Sequence, residues 1–235
     1  MSARPSIAVI VPVLGDAEPL RALLERLAVD DPRPDEIVVV DGGADERIAA
    51  LCRERGCTYV AADPNRGAQL DRGAAAATSE ILWFLHADAC PPPGALALIA
   101  DAVRRGADGG CFRFAFQGPR TWYKALLERL VAWRVRLGGT PYGDQGLFAT
   151  RRAYCAAGGF PHQPLFEEVR LVRRLRAGGR FVALPAAIEV STRRWERDGW
   201  WYRTLHNRWL ALCYAAGVPA ERLARAYRGL LGWKR

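Results

Sequence analysis

The first third of the sequence alternates between apolar runs rich in β-branched residues and segments with helical spacing. This alternation predicts strands over residues 7–13, 36–40, 58–61 and 81–85, and helices over residues 19–27, 44–55 and 68–77. Strands and helices in strict alternation build a mostly parallel, doubly wound sheet covered by helices. We therefore predict an α/β fold, in which ligands bind at the carboxyl ends of the strands.

The pattern loosens after the three prolines at residues 91–93. Helices are predicted over residues 95–105, 122–137 and 168–177, and extended segments over residues 110–116, 147–150 and 181–190. The helix over 122–137 is amphipathic and carries Trp122, Leu126, Leu130 and Trp133 on one face. From about Gly199 the chain is helical, with a break at residues 217–219. We predict a catalytic domain over residues 1–198 and a helical, basic and aromatic appendage over residues 199–235.

Composition narrows the class of protein. Half of the residues are hydrophobic and 25% are charged, which excludes a disordered or fibrous chain. No run approaches the roughly 18 apolar residues of a membrane span, and the N-terminus does not resemble a signal peptide. We expect a cytoplasmic protein. The six cysteines form no C-x-x-C pair, so neither a zinc ribbon nor a disulfide framework is indicated.

Positive charge is concentrated near the C-terminus. Residues 170–235 carry 15 Lys or Arg against 4 Asp or Glu, whereas residues 1–169 carry 19 against 21. Aromatic residues lie among these charges: Trp195, Trp200, Trp201, Tyr202, Trp209 and Trp233. Such a tail suits nucleic acid, a membrane surface or a phosphorylated ligand. Taken alone, an ordinary solvated helical surface explains it at least as well.

Two polar clusters follow the second and third predicted strands. The D-G-G-A-D run at residues 41–45 places a carboxylate beside two glycines, where it can accept hydrogen bonds from a base or ribose. An ordinary turn before a helix is the alternative. Asn65-Arg66-Gly67 places a cation and free backbone amides where a diphosphate could rest. A capped helix start explains this second cluster equally well.

Three further clusters carry acids and bases. His86-Ala87-Asp88 follows an uncharged strand and could bind a cation that bridges a diphosphate, unless Asp88 only caps a turn. Residues 142–146 (Y-G-D-Q-G) and the Glu167-Glu168 pair could present a carboxylate that removes a hydroxyl proton. Acids in a first helical turn are also stabilised by the helix dipole alone. The S-T-R-R-W run at residues 191–195 suits a phosphate or sugar ring, or is a surface cation–π pair.

The order of these clusters resembles that of the family-2 glycosyltransferases over residues 7–199. Residues 11–16 are similar to the V-P-x-x-N/D-E run of that family, and residues 39–45 to its V-V-D-D/G-G-S-x-D run, one residue shorter. Asn65-Arg66-Gly67, followed by Gln69 and Gly73, resembles the nucleotide-binding loop and helix. Five motifs in order are specific, whereas any one alone would be weak.

The remaining motifs match with two substitutions. Residues 84–88 (F-L-H-A-D) occupy the D-x-D place with His86 instead of the first acid, and Glu168 replaces the Asp of the usual E-D pair. Residues 191–195 resemble Q-x-x-R-W without its Gln. The F-L-H-A-D and Y-G-D-Q-G blocks are similar to those of small bacterial members found beside radical-SAM and arsenosugar-biosynthesis proteins.

The resemblance implies a GT-A fold and a set of site residues. The implied nucleotide-sugar-binding residues are Pro12, Val13, Leu14, Asp16, Glu18, Asp41, Gly42, Arg66, Gln69, His86, Ala87 and Asp88. Asp41 would contact the base, Asp16 or Glu18 the ribose region, and Arg66 the base or diphosphate. Asp88 and His86 would hold Mg²⁺ or Mn²⁺.

The resemblance also implies catalytic and acceptor residues. Glu168 would be the base, with Asp144 as the second candidate and Glu167 beside it. The implied acceptor or diphosphate contacts are Gln145, Arg193, Arg194 and Trp195.

We therefore predict an inverting, hexosyltransferase-like enzyme that moves a sugar from a nucleotide-diphosphate donor, a UDP-sugar, to an acceptor hydroxyl with metal assistance. The acceptor is a small molecule or is lipid-linked, and the basic tail contacts the inner face of the membrane. No nucleic-acid partner is expected of the transferase. Two alternatives stay open: a sugar-nucleotide pyrophosphorylase, and a non-catalytic nucleic-acid-binding module that uses the basic tail.

Overall fold

A single mixed sheet runs through the protein. The computed structural model describes residues 4–230, with side chains up to residue 227, so the last five residues of the predicted appendage, including Trp233, lie outside the described residues. Seven strands pair into this sheet: β1 (Ile7–Val13), β2 (Glu36–Asp41), β3 (Thr58–Ala61), β4 (Ile81–Phe84), β5 (Gly109–Phe116), β6 (Phe148–Thr150) and β7 (Phe181–Val190).

Helices connect the strands as the alternation predicts, with ends within two residues of the predicted ones. They are α1 (Ala17–Val29), α2 (Glu46–Arg55), α3 (Arg66–Ala76), α4 (Ala95–Arg104), α5 (Trp122–Arg136), α6 (Arg151–Ala156), α7 (Glu167–Gly178), α8 (Arg193–Asp198), α9 (Trp200–Ala215) and α10 (Ala220–Leu230). A 3₁₀ turn occupies Gly143–Gln145. The predicted break at residues 217–219 separates α9 from α10, whereas α6 and α8 were not predicted.

The strand order is β3-β2-β1-β4-β6-β5-β7, and only β6 runs antiparallel to its neighbours. The carboxyl ends of β1, β2, β3 and β4 therefore meet at one edge, which we call the carboxyl edge. β5 and β7 are parallel to each other and point the same way, so β7 also ends there. Because β6 is antiparallel, the loop that precedes it lies at the same edge. This mostly parallel α/β sheet confirms the predicted fold class.

The core has two apolar layers, one on each face of the sheet. Alternate residues of β1 point to opposite faces: Val9 and Val11 pack with α1, α2 and α4, whereas Ala8 and Ile10 pack with α3, α6 and α7. Every residue of β1 except Pro12 is buried, as expected for a central strand covered on both faces.

The apolar face predicted for α5 is not the face that packs on the sheet. Its apolar stripe faces solvent: Trp122 is 71% exposed and Trp133 is 69% exposed, and Leu126 and Leu130 are exposed as well. The buried face of α5 instead carries Leu127, Val135 and two charged residues, Lys124 and Glu128. Lys124 and Glu128 can be buried because each hydrogen-bonds to the backbone that closes β5.

Candidate active site

The five polar clusters predicted from the sequence converge on the carboxyl edge. Parallel pairing brings the loops after β1, β2, β3, β4 and β7 there, and the antiparallel β6 adds the loop of Asp144. Helix α7 begins at the same edge with Glu167 and Glu168, because it runs back across the sheet before β7. The sheet topology thus assembles residues that are up to about 180 positions apart in sequence.

Asp41 is the most deeply placed of the predicted donor contacts. Its carboxylate is 0% exposed and accepts hydrogen bonds from the backbone nitrogens of Gly43 (2.8 Å) and Asp45 (2.6 Å) and from the Tyr59 hydroxyl (3.2 Å). Asp45 in turn caps α2. In this conformation the hydrogen bonds of Asp41 shape the loop after β2, as the ordinary-turn interpretation expects, and its contact with a base stays a prediction.

Two glutamines assigned to ligand binding hydrogen-bond instead to backbone carbonyls inside the protein. The Gln69 amide donates to the carbonyls of Val13 (2.9 Å) and Val40 (2.8 Å), and so joins the ends of β1 and β2. The Gln145 amide donates to the Phe112 carbonyl at 3.1 Å. Both side chains are buried. Their amide groups satisfy buried backbone oxygens, which makes them positioning residues for the edge in this structure.

The other residues assigned to the nucleotide sugar line the loops after β1 and β4. Pro12 is half-buried and Val13 is buried, whereas Leu14, Asp16 and Glu18 are exposed. Gly42 lies against Pro64 and Gln69, where an added Cβ would come within 3.0 Å of Pro64. Ala87 is buried in the turn that presents Asp88.

Arg66 is directed into the acid cluster. Asn65 caps α3 by accepting from Ala68 N at 3.1 Å, which places Arg66 in the first turn of the helix. Arg66 Nε lies 3.3 Å from Oε1 of Glu167. Glu167 is 0% exposed, and neither of its carboxylate oxygens has a hydrogen-bond partner among the described residues. A buried acid held only by an ion pair is typical of a functional site.

Glu168 is the most perturbed acid of the edge. It is 3% exposed, and its Oε1 accepts a hydrogen bond from the Gly143 nitrogen at 2.8 Å. Burial, reinforced by the neighbouring Glu167 charge, raises the pKa of Glu168 well above its ordinary value. Arg66 opposes this shift only in part.

His86 lies beside Glu168. A Cβ added at Gly143 would collide with His86 Nε2 and would lie 2.7 Å from Glu168 Oε1, so both side chains contact the same glycine. Burial, assisted by the Arg66 charge, lowers the pKa of His86 far below its ordinary value, and the imidazole is neutral at pH 7. His86 therefore belongs to the acid cluster that contains Glu168.

Asp144 is the second candidate base and is more open than Glu168. Burial raises the pKa of Asp144 to about 6, against the attraction of Arg134 and Arg66. Arg134 stacks on the Tyr142 ring at 4.5 Å from its centroid. No sequence pattern points to Arg134, because an arginine inside a helix pattern gives no signal that it reaches a loop closed by tertiary packing.

The backbone before the acid pair is strained. Phe166 adopts φ +61° and ψ 25°, a left-handed conformation that is unusual for a bulky residue. Its ring stacks on Tyr214 of α9 at 4.8 Å. Strain of this kind persists only where surrounding contacts enforce it and concentrates at functional sites. No sequence pattern indicates it.

An open cavity of about 360 Å³ adjoins the loop after β1. It is lined by Asp16 and Glu18 and by three arginines, Arg21, Arg47 and Arg193. Its volume falls in the range of small-molecule sites. Partial burial and the nearby Asp88 charge raise the pKa of Asp16, and Arg193 and Arg194 counteract this, so these four side chains share one electrostatic environment.

The segment after β7 carries three predicted contact residues, of which two are exposed and one is packed. Residues 193–195 form the first turn of α8, a helix that the sequence pattern does not predict. Arg193 and Arg194 are exposed at the carboxyl edge. Trp195 packs on Phe116 (5.0 Å) and near Trp200 (6.4 Å), so much of its ring is used in the structure.

Within residues 4–230, no three His, Cys, Asp or Glu side chains come together as a metal-binding cluster. Asp88 nevertheless offers an exposed carboxylate beside Asp16. Mg²⁺ and Mn²⁺ often use one or two protein carboxylates and complete their coordination with substrate phosphates and water. The donor set therefore fits an ion shared with a diphosphate, with Asp88 as its protein ligand.

Comparisons with known proteins identify the family of the chain. Residues 8–159, more than half of the chain, match the family model described as Glycosyl transferase family 2. No curated protein matches the sequence at a significant level.

Several solved structures share the fold at low sequence identity. The mannosyltransferase PcManGT from Pyrobaculum calidifontis, in complex with GDP-Man and Mn²⁺, has a TM-score of 0.64 and 20% identity, covering 96% of this chain and 70% of that one. Residues 1–349 of S. aureus TarS have a TM-score of 0.61 and 17% identity, covering 80% and 60%.

Glucosyl-3-phosphoglycerate synthase from Mycobacterium tuberculosis, in complex with UDP, has a TM-score of 0.55 and 18% identity, covering 78% and 70%. The present chain spans 60% and 36% of the two TarS chains it matches. These similarities confirm the GT-A fold, and the match over residues 8–159 shows that the chain belongs to glycosyl transferase family 2.

Proposed function

We propose that this protein transfers a glycosyl group from a nucleotide-diphosphate donor to an acceptor hydroxyl, with inversion at the anomeric carbon. Family membership supports the reaction class. The observation that carries the mechanism is the placement of Glu168: a buried carboxyl with a raised pKa, held by Gly143 N beside His86 and near Arg66 at the carboxyl edge. This favours the transferase over a pyrophosphorylase or a nucleic-acid-binding module.

In the proposed step, the acceptor oxygen attacks the anomeric carbon from the face opposite the diphosphate. The bond from that carbon to the diphosphate oxygen breaks, and its electron pair leaves with the nucleotide. The hydroxyl proton passes to the ionised Glu168 carboxylate. Burial raises the pKa of Glu168 to about 8, which makes its carboxylate a stronger base than an exposed glutamate, and the ionised fraction that accepts the proton grows as pH rises.

Arginines at the edge would stabilise the departing diphosphate. Arg193 lines the cavity beside Asp16, and Arg194 is exposed next to it. We assign the nucleotide to this cavity and the reacting sugar to the space between Asp88 and the Glu168 cluster. Charge-assisted contacts of this kind are the main source of stabilisation in such displacements.

Asp88 would hold a divalent cation together with the diphosphate, and His86, turned toward Gly143, would not be its ligand. When bound, the cation neutralises charge that develops on the leaving group. Mn²⁺ is present in the PcManGT complex, which makes it the first ion to test here.

UDP-sugars are the first donors to test, because two of the structurally similar proteins were solved with UDP or UDP-GlcNAc. We also propose that the chain belongs to the bacterial subgroup found beside radical-SAM and arsenosugar-biosynthesis proteins. The F-L-H-A-D and Y-G-D-Q-G blocks at residues 84–88 and 142–146 support that placement.

The decisive experiment replaces Glu168 with Gln. We first identify a donor by its slow hydrolysis across a panel of nucleotide sugars, which requires no knowledge of the acceptor. Glu168→Gln should then lower turnover by about 10²- to 10⁴-fold, the usual value of general-base assistance. Nucleotide affinity should be unchanged. Glu54→Gln, on the exposed surface, is the matched control.

An unchanged rate in Glu168→Gln would remove this residue from the mechanism. If Asp144→Asn alone reproduced the loss, the base would be Asp144. Stabilisation of the protein against heat by single-stranded RNA, and not by UDP with Mn²⁺, would instead favour the nucleic-acid-binding module.

A further inference from the structure

Two helices present an apolar surface next to the site that no other part of residues 4–227 covers. On α5 the exposed apolar residues are Trp122, Leu126, Leu130, Trp133 and Leu137 just beyond its end. On α9 they are Trp201, Tyr202, Leu205, Trp209 and Leu212, each at least half exposed. Trp122 and Trp201 lie 6.1 Å apart, so the two stripes join into one surface, which we call the α5–α9 face. Large contiguous apolar patches are rare on monomeric soluble proteins and mark interaction sites.

The charges within this face have one sign. Arg129 and Arg136 of α5 and Arg208 of α9 are exposed among the apolar residues. The only acid in either helix is Glu128, which is buried and bound to Phe116 N and Arg120. The face therefore combines indole and phenol rings, leucines and arginines, without an exposed carboxylate.

We propose that the α5–α9 face docks the protein on an anionic phospholipid bilayer. Tryptophan and tyrosine are enriched where a protein meets the interface between water and acyl chains. Amphipathic helices that lie in this interface carry Trp and Leu on one side and arginines that reach anionic headgroups. α5 and α9 have 15 and 16 residues, long enough to lie in the interface plane. Within residues 4–230, no helix is long and apolar enough to cross the bilayer.

A second copy of the chain fits this face less well. In a two-fold dimer the same patch meets itself, so Arg129, Arg136 and Arg208 would face one another or other apolar groups. No carboxylate of α5 or α9 is available to pair with them. An anionic lipid surface supplies the missing negative charge, and charge complementarity therefore selects the bilayer.

The face is connected to the candidate site through Arg134. This residue of α5 stacks on Tyr142, and the Asp144 charge acts on its guanidinium. Arg208 of α9 acts electrostatically on both Tyr142 and Arg134. Docking would hold the Asp144 loop close to the headgroup region. Membrane docking is separate from glycosyl transfer, so a vesicle-binding assay tests it without a measurement of enzyme activity.

The test is sedimentation with vesicles of phosphatidylglycerol and phosphatidylcholine, compared with vesicles of phosphatidylcholine alone, at low and moderate salt. We expect binding to the anionic vesicles that weakens as salt rises, because screening reduces the arginine contribution. Leu130→Ser with Trp133→Ser should lower the partition coefficient by about tenfold or more. Arg129→Gln with Arg136→Gln should do the same on anionic vesicles.

Two controls keep the result interpretable. Val29→Ser alters a residue that is 83% exposed on another helix, and it should bind vesicles like the unmodified protein. All variants should retain UDP affinity, which separates loss of docking from damage to the donor site. Absence of binding to anionic vesicles at low salt would overturn the proposal. Self-association abolished by Trp133→Ser, without vesicle binding, would assign the face to a second copy.

Discussion

Glycine at position 143 allows Glu168 and His86 to meet at the carboxyl edge. A methyl group there would overlap His86 Nε2 and lie 2.7 Å from Glu168 Oε1. Gly143→Ala should therefore displace Glu168 and lower turnover by about tenfold or more, since small misplacements of reacting groups are costly. The measurement is donor hydrolysis together with the melting temperature.

Gly178→Ala is the matched control for this substitution, because an added Cβ at Gly178 meets no atom within 4 Å. It should leave both rate and melting temperature unchanged. Full activity in Gly143→Ala would show that the contact between this loop and Glu168 is not needed for catalysis.

The raised pKa of Asp144 predicts how the free energy of unfolding depends on pH. Its folded pKa of about 6 lies above the ordinary value of 3.8, so the folded state holds its proton over a range in which the unfolded state has lost it. This favourable contribution is fully present below the ordinary pKa and is lost as pH rises through about 6. Relative to Asp144→Asn, which does not titrate, the unmodified protein should lose stability between about pH 4 and 6.

Denaturant unfolding at a series of pH values measures this difference, and the curve should become flat above about pH 7. Asp108→Asn is the control variant. It alters a carboxylate that lies away from the site cluster and forms an ion pair with Arg152, with an N to O distance of 2.8 Å. A difference between Asp144→Asn and the unmodified protein that grew above pH 7 would contradict the assignment.

Residue identity alone does not distinguish a side chain available to a ligand from one that holds two backbone segments together. Glu168, Asp144, Arg66 and Asp88 all lie at the predicted edge. Gln69 lies in the first turns of α3 at the same edge, yet its amide joins β1 to β2. A polar residue at this edge can bind a ligand or a backbone carbonyl, and only its three-dimensional neighbours decide between the two.

At the scale of elements, α3 lies so close to the sheet that it requires glycine at position 73. A Cβ there would overlap Ile10 and approach Val40 Cγ2 to 2.9 Å. Alanine is the better helix former by about 0.5–1 kcal/mol, yet Gly73→Ala should lower the free energy of unfolding by about 1–3 kcal/mol through overpacking.

Chemical denaturation measures this loss. The control is the reverse substitution, Ala75→Gly, on the exposed side of α3. It should lose only the propensity difference of about 0.5–1 kcal/mol. A stabilised Gly73→Ala would mean that helix propensity outweighs the contact with Ile10.

The helix α5 shows what periodicity leaves open. The spacing of its apolar residues predicted the helix within one residue, but not the direction of the stripe. The opposite face docks on the sheet because Lys124 and Glu128 close the backbone at the end of β5. Periodicity identifies a helical face, whereas its partner depends on what the rest of the chain offers.

At the scale of the whole molecule, the C-terminal helices pack on the body of the fold. Leu210 and Leu223 form an apolar cluster with Phe166, and Tyr214 stacks on the Phe166 ring next to the acid pair. The division at residue 198 remains a prediction. We expect a chain that ends at Asp198 to expose Phe166 and to lose activity together with stability.

Loss of one such buried side chain costs about 1.5–3 kcal/mol, which should lower the melting temperature by about 5 °C or more. Val29→Ser, at a residue of α1 that is 83% exposed, is the control and should behave like the unmodified protein. Unchanged melting and activity in the shorter chain would show that residues 199–235 are a separable appendage.

The sequence by itself determined the order of elements and the edge at which chemistry is possible. Apolar alternation is a local property, and parallel strands force their carboxyl ends together regardless of loop details. The tertiary structure alone decided which polar residues remain accessible, which way α5 and α9 face, and how far the pKa of Glu168 is raised. These properties depend on burial and on charges that are distant in sequence, so local patterns do not encode them.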